Sequence, residues 1–278
     1  MKKIDVHVCL VSQQATPNLT PILATEFRPE QVILLVSPEM EKQANALVAV
    51  YKKYHIKCQL VAIADAYDIP AMVNQMVNLL AEYEHLNIGL NITGGTKPMA
   101  IAAQEAFRVA DKPIFYVNVA TNDVQFSASK SPRFQLSSKL KIDDYLAAHG
   151  YAVALPLQRD MASMQNFAEL TDTLVMNVKS FSTAIGQLNY LANQAEKKKT
   201  LSVSVDATLQ ANPDFMKLVD MFADAGMLSM KGSQLVFTNE DARFYANGGW
   251  LEAHVFNVVK SITVQDAAAN VKVENSIG

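Results

Sequence analysis

Five apolar runs recur through the first 120 residues, and a segment of helical spacing fills most of the gaps between them. The runs are Asp5–Ser12, Gln31–Ser37, Cys58–Ala64, Asn87–Ile92 and Pro113–Asn118; the helical segments are Glu39–Tyr54, Ile69–Tyr83 and Lys97–Val109, with a shorter one near Thr20–Glu26. A run such as Val32-Ile33-Leu34-Leu35-Val36 is apolar on both faces, so a strand made from it must be covered on both sides. Strand and helix alternating at this spacing leave little choice but a doubly wound, Rossmann-like α/β domain built on a parallel sheet.

In such sheets ligands lie beyond the carboxyl ends of the strands. Two polar turns fall at that edge: Ser12-Gln13-Gln14 after the first run and Thr93-Gly94-Gly95-Thr96 after the fourth, with Lys97 opening the next helix. Amides and hydroxyls at a helix N-terminus make a ready site for an anion. Thr93, Gly94, Gly95, Thr96 and Lys97 are therefore candidate ligand contacts, joined by Ser12, Gln13 and Gln14, whose hydroxyl and amide groups suit phosphate or base edges. The same glycine pair is what a tight turn requires, and Lys97 reads equally as a solvated first-turn lysine. Pro17-Asn18 reads as a turn and helix entry. Neither a Walker loop nor the dinucleotide fingerprint is present.

Residues 122–141 differ: Val124–Ala128 and Arg133–Ser137 are expected to form a polar hairpin that closes a domain spanning 1–150. Beyond Gly150, Phe167, Leu170, Leu174, Val178, Phe181, Ile185 and Leu188 recur at intervals of three and four, as one long amphipathic helix or two stacked ones. That stripe reads as core packing, with a dimer face as the alternative. Asn212-Pro213-Asp214 is a helix start and Gly226 its end. Met227–Met230 and Gln234–Thr238 around Lys231-Gly232-Ser233 give a hairpin, so 151–247 reads as a helical and winged-helix-like connector.

Charge narrows the partners. The net charge is −3, with 14 basic and 14 acidic side chains before residue 151, and 10 and 13 after it. Neither half has the cationic excess of a duplex-binding face, so a bound nucleotide is expected to be small. The five histidines are dispersed without metal-ligand spacing, and Glu196-Lys197-Lys198 reads as a solvated helix end. Cys9 and Cys58 lie in apolar runs and read as buried thiols. The N-terminus carries an acid and a histidine where a signal peptide needs an apolar core, and no membrane-length apolar stretch occurs, so the cytoplasm is the expected compartment.

The segment Asn91–Ala103, Asn-Ile-Thr-Gly-Gly-Thr-Lys-Pro-Met-Ala-Ile-Ala-Ala, closely resembles the hallmark of CARF domains, the CRISPR-associated Rossmann-fold sensors. The Ser12-Gln13-Gln14 turn matches that family's other ligand loop. Gly248-Gly249-Trp250-Leu251-Glu252 resembles the opening of the PD-(D/E)xK nuclease domain of one branch, in which a CARF domain, a winged-helix-like connector and a nuclease activated by cyclic oligoadenylate share one chain. The resemblance implies a homodimer that binds cyclic tetra-adenylate across a two-fold axis, and a Mn²⁺- or Mg²⁺-dependent cut of single-stranded nucleic acid.

One departure matters. Glu252 matches the first carboxylate of the nuclease, but the 26 residues after it hold Asp266 and Glu274 and no Glu-x-Lys. A domain of roughly 100 residues cannot be made from that length. Residues 248–278 are thus expected to be a nuclease remnant, with Glu252 vestigial, binding retained, cleavage lost, and a divalent metal expected only with a complete nuclease domain. Other outcomes of the same sequence are a ligand-controlled winged-helix transcription regulator and a ring nuclease acting on its own ligand; the ligand loops offer the latter no general base.

Overall fold

The computed structural model describes residues 3–127, 133–154, 157–159 and 167–275. Two compact units emerge: Met1–Pro156 together with Val271–Gly278, and Leu157–Asn270. The first is the α/β domain. Its strands β1 (Val6–Leu10), β2 (Gln31–Val36), β3 (Lys57–Ala62), β4 (Ile88–Asn91), β5 (Ile114–Asn118), β6 (Asp123–Phe126) and β7 (Phe134–Gln135) form one sheet in the order β3-β2-β1-β4-β5-β6-β7. The first five run parallel; β6 and β7 return antiparallel as the expected hairpin, of which Ala128 lies outside the described residues.

Both faces of the parallel strands are covered, as their two-sided apolarity requires. Val6, Val8 and Leu10 of β1, with Ile33, Leu35 and Leu90, pack under α3 (Ile69–Glu82) and α4 (Lys97–Val109) through Met72, Met76, Met99 and Phe107. Cys9, Leu34 and Val36 face α1 (Thr16–Leu23) and α2 (Glu41–Lys53) through Leu19, Ile22, Leu47 and Tyr51. Helix α1 starts four residues before the expected Thr20. A proline in the first turn costs nothing, since that N–H has no helical partner, so Pro17 opens the helix rather than preceding it. Cys9 is buried as expected, but Cys58 is only half-buried, because β3 is the sheet's edge strand. Burial pushes both thiols up, Cys58 to about 12, so neither is a ready nucleophile. Residues 142–148 add α5, and β8 (Tyr151–Val153) pairs antiparallel with residues 273–275.

The second unit packs helices 168–176, 178–197 and 213–224 with a three-stranded antiparallel sheet. The apolar stripe is two helices, parted at Asn177, where the backbone leaves helical geometry. Asn212 caps helix 213–224 by accepting from the amides of Asp214 and Phe215. Phe215, Leu218, Val219 and Phe222 then meet Leu235 and Phe237 of the expected hairpin (228–231 with 234–237) and Val203 of an added strand, 202–204. Helix 250–261 follows a kink at Gly248 (φ +103°), and Trp250 anchors it in this core. Among the described residues no helix is long and apolar enough to cross a membrane.

His7 supplies a test of the sheet's packing. Its ring lies 5.0 Å from the ring centroids of both Phe27 and Phe115, and its buried Nε2 has no hydrogen-bond partner among the described residues. Desolvation lowers its pKa from 6.5 to about 3. The folded state keeps His7 neutral while the unfolded chain takes up a proton below pH 6.5. Stability is therefore full above that pH and falls as pH drops toward 3. Urea denaturation should show the protein losing about 2 kcal/mol more than His7→Leu between about pH 7.5 and pH 5. Parallel pH profiles for the two proteins would contradict the assignment.

Candidate ligand-binding site

Strands β1 and β4 are neighbours, with Val8 opposite Leu90 and Cys9 opposite Asn91. From that pair the chain departs in opposite directions, β1 through α1 to β2 and β4 through α4 to β5. The crevice at their carboxyl ends is the topological switch point, the place where doubly wound sheets take ligands. The turn 11–15 and the loop 92–96 form its two lips.

Glycine is demanded there by close approach. A Cβ on Gly94 would sit 2.3 Å from the Leu10 carbonyl oxygen and 3.3 Å from Ser12 Oγ, so the second loop rests directly on the end of β1 and beside the first loop. Gly95 has φ +73°, and a Cβ there would lie 2.8 Å from the Leu10 side chain. The two sequence-distant turns are thus one site: Ser12, Gln13 and Gln14 on one lip, Thr93, Gly94, Gly95, Thr96 and Lys97 on the other.

The threonine hydroxyls, expected to meet phosphate, are engaged inside the protein. Thr93 Oγ1 donates to Asn91 Oδ1 (2.6 Å) and accepts from the Val117 amide (2.7 Å). Thr96 Oγ1 donates to the Ala66 carbonyl (3.0 Å) and caps α4 by accepting from the Met99 amide (3.3 Å). A hydroxyl has one proton to give, and both are given inward. The amides of Gly95 and Thr96 remain without an internal partner among the described residues, at the positive end of the 13-residue helix α4. Lys97, Gln13 and Gln14 are exposed on these loops, and among the described residues Ser12 Oγ makes a long bond to the Gln14 carbonyl (3.3 Å). The arrangement offers backbone N–H groups, one ammonium and three neutral polar side chains, a set that fits an anion with hydrogen-bonding edges.

Three residues of this region carried no signal in sequence. Asn18 is buried and donates to the Leu10 carbonyl (3.0 Å). Ala66 brings in the β3–α3 loop through its backbone carbonyl. Tyr67, one residue on, is 73% exposed at this rim, a ring face available to a base.

Glu252 is exposed on helix 250–261, which belongs to the second unit. Among the described residues no group of three His, Cys, Asp or Glu could hold a metal ion. Glu196 is held by Asn247 Nδ2 (2.9 Å), in keeping with a helix-end charge.

A doubly wound domain with an amide-lined crevice at its switch point belongs to the Rossmann-like class. Residues 6–145 match the family model described as the Card1 CARF domain, and the chain belongs to that family. Protein VC1899 from Vibrio cholerae superposes with a TM-score of 0.88 at 24% identity, covering 96% of this chain and 72% of the other. Can2 from Sulfobacillus thermosulfidooxidans, solved in complex with cyclic tetra-adenylate, superposes with a TM-score of 0.78 at 25% identity over 98% of this chain and 72% of that one. A type III CRISPR defence DNA nuclease activated by cyclic oligoadenylate shares the fold at a TM-score of 0.51 and 13% identity, covering 94% of this chain and 35% of its own. No curated protein matched the sequence.

The contact at Gly94 has a measurable consequence. Gly94→Ala must push the loop off the Leu10 carbonyl and should cost about 2 kcal/mol or more in urea denaturation, with Gly95→Ala costing about 1–2 kcal/mol for its left-handed backbone. Stability equal to the parent for Gly94→Ala would show that the loops do not touch.

Proposed function

We propose that this chain is a sensor of cyclic oligoadenylate, with cyclic tetra-adenylate the preferred ring. A phosphate sits on the Gly95 and Thr96 amides, Lys97 neutralises charge, and Ser12, Gln13 and Gln14 meet the other edge of the same nucleotide. The observation that carries this reading is the seating of Gly94 on Leu10 beside Ser12, which makes one cradle of two loops. Membership of the Card1 CARF family supports it, as does likeness to Can2, whose structure holds that ring. One cradle faces one segment of a ring, and a four-fold repeated ligand suits two chains related by a two-fold axis, so the binding species is a homodimer. The exposed apolar side chains Ile101 and Val109 on α4, the helix that begins at the cradle, are consistent with a partner along that helix.

Calorimetric titration with cyclic tri-, tetra- and hexa-adenylate tests the reading. Tetra-adenylate should bind at one ring per two chains, and tightness should fall with added salt as phosphate contacts require. No heat with any ring would end the assignment; tighter binding of another ring would keep the sensor and replace its ligand.

The output proposed for the family's branch is ligand-activated, metal-dependent cleavage of single-stranded DNA or RNA. Glu252 is the one residue of the 278 matched to that machinery, and residues 1–278 assayed by themselves are expected to bind the messenger with little or no cleavage. Incubation with cyclic tetra-adenylate, Mn²⁺ and single-stranded DNA or RNA checks this. Efficient cutting abolished by Glu252→Ala would overturn it.

A second reading, a ligand-controlled DNA-binding regulator, draws on the second unit, where helix 213–224 and the 228–237 hairpin have the outline of a winged helix. Lys231 is the one cation of that hairpin, which weighs against a grip on duplex phosphates. A salt-sensitive gel shift on duplex DNA would favour it.

A further inference from the structure

We infer that Asn91 and Thr93 are positioning residues: a buried hydrogen-bond chain ties the second lip to the end of β1 and to α1, the elements that flank the first lip, and ligand affinity depends on it although neither side chain touches the ligand. The inference rests on the reading of this crevice as the cyclic-oligoadenylate site. Asn91 is fully buried at the end of β4, and both its amide protons and both its acceptor positions have partners. Its Nδ2 donates to the Pro17 carbonyl (3.0 Å) and to Asn18 Oδ1 (3.1 Å) in the first turn of α1, the helix that the first lip leads into. Its Oδ1 accepts from the Thr93 amide (3.1 Å) and the Thr93 hydroxyl (2.6 Å) on the second.

The chain extends at both ends. Asn18 Nδ2 donates to the Leu10 carbonyl (3.0 Å), the oxygen against which Gly94 is seated, and Tyr51 Oη donates to the Asn18 carbonyl (2.9 Å). Thr93 Oγ1 accepts from the Val117 amide at the end of β5 (2.7 Å). Pro21 completes the logic. Having no N–H, it leaves the carbonyl four residues earlier, that of Pro17, without its helical partner, and Asn91 takes that place. The helix irregularity and the buried amide therefore belong to one device.

Because the Thr93 proton is committed to Asn91, it cannot also be given to a phosphate oxygen while the chain is intact. What Thr93 contributes is the placement of the Gly94–Thr96 amides. In a preorganised site that placement is affinity, since a loose loop must be ordered at the moment of binding.

The experiment compares the wild-type protein with Thr93→Val, which keeps the shape and removes the hydroxyl, and Thr93→Ser, which keeps the hydroxyl. Cyclic tetra-adenylate affinity, thermal midpoint and amide hydrogen exchange at Gly95 and Thr96 are measured for each. Thr93→Val should bind about tenfold or more weakly, the scale of one lost buried hydrogen bond, with faster exchange at Gly95 and Thr96. Thr93→Ser should recover wild-type affinity to within about threefold and recover the slow exchange. Equal affinity for Thr93→Val and wild type overturns the inference, and so does equal loss in both variants. Should Thr93→Val not fold, the wild type alone decides. The Asn91 side-chain amide protons must stay protected and unshifted when ligand saturates the protein, and their exposure or displacement on binding overturns the inference. A wild type that binds no cyclic oligoadenylate fails the proposed function instead, a distinguishable result.

Discussion

The carbonyl oxygen of Leu10 is where the site is assembled. It ends a fully buried central strand of the sheet, accepts the Asn18 side chain, and leaves so little room that only a residue without Cβ can stand at position 94. Both lips of the cradle are referred to this one atom. The order β3-β2-β1-β4-β5 sends the chain away from it in opposite directions, opening the crevice; glycine lets the second lip close onto it, and the Asn91 amide ties that lip to α1. A polar amide buried at the heart of an apolar sheet would be costly if any of its groups were unpaired, and here each has a partner.

This construction separates two kinds of polar group that look alike in sequence. Thr93 and Thr96 flank the glycine pair symmetrically, and each gives its proton inward, one to Asn91 and one to Ala66. The groups left facing outward are backbone amides at the start of α4, with Lys97 exposed beside them. Under the proposed function, such a site would meet an anion through fixed dipoles that need no reorganisation.

The parallel strands were legible because both faces had to be apolar, a signal that survives without tertiary context; strand edges moved by a residue or two and α4 kept its expected limits. The meeting of the two loops was legible too, from the strand ends they follow. The direction of each hydroxyl was not, because it depends on a carbonyl freed by Pro21 and on a loop from β3, neither of which is near position 93 or 96 in sequence. The start of α1 was hidden by Pro17 and the half-exposure of Cys58 by the edge position of β3, which sheet order alone reveals. In the second unit the break at Asn177 interrupts a stripe whose apolar period continues across it, so periodicity could not place it.

Amide chemical shifts followed during titration with cyclic tetra-adenylate test the central claim most directly. The account predicts that Ser12–Gln14 and Gly94–Lys97 move together, at the same ligand concentration, while the buried Val6–Val8 segment stays still. Movement of one lip without the other, or of neither while the ligand binds elsewhere, would contradict a single cradle built on Leu10.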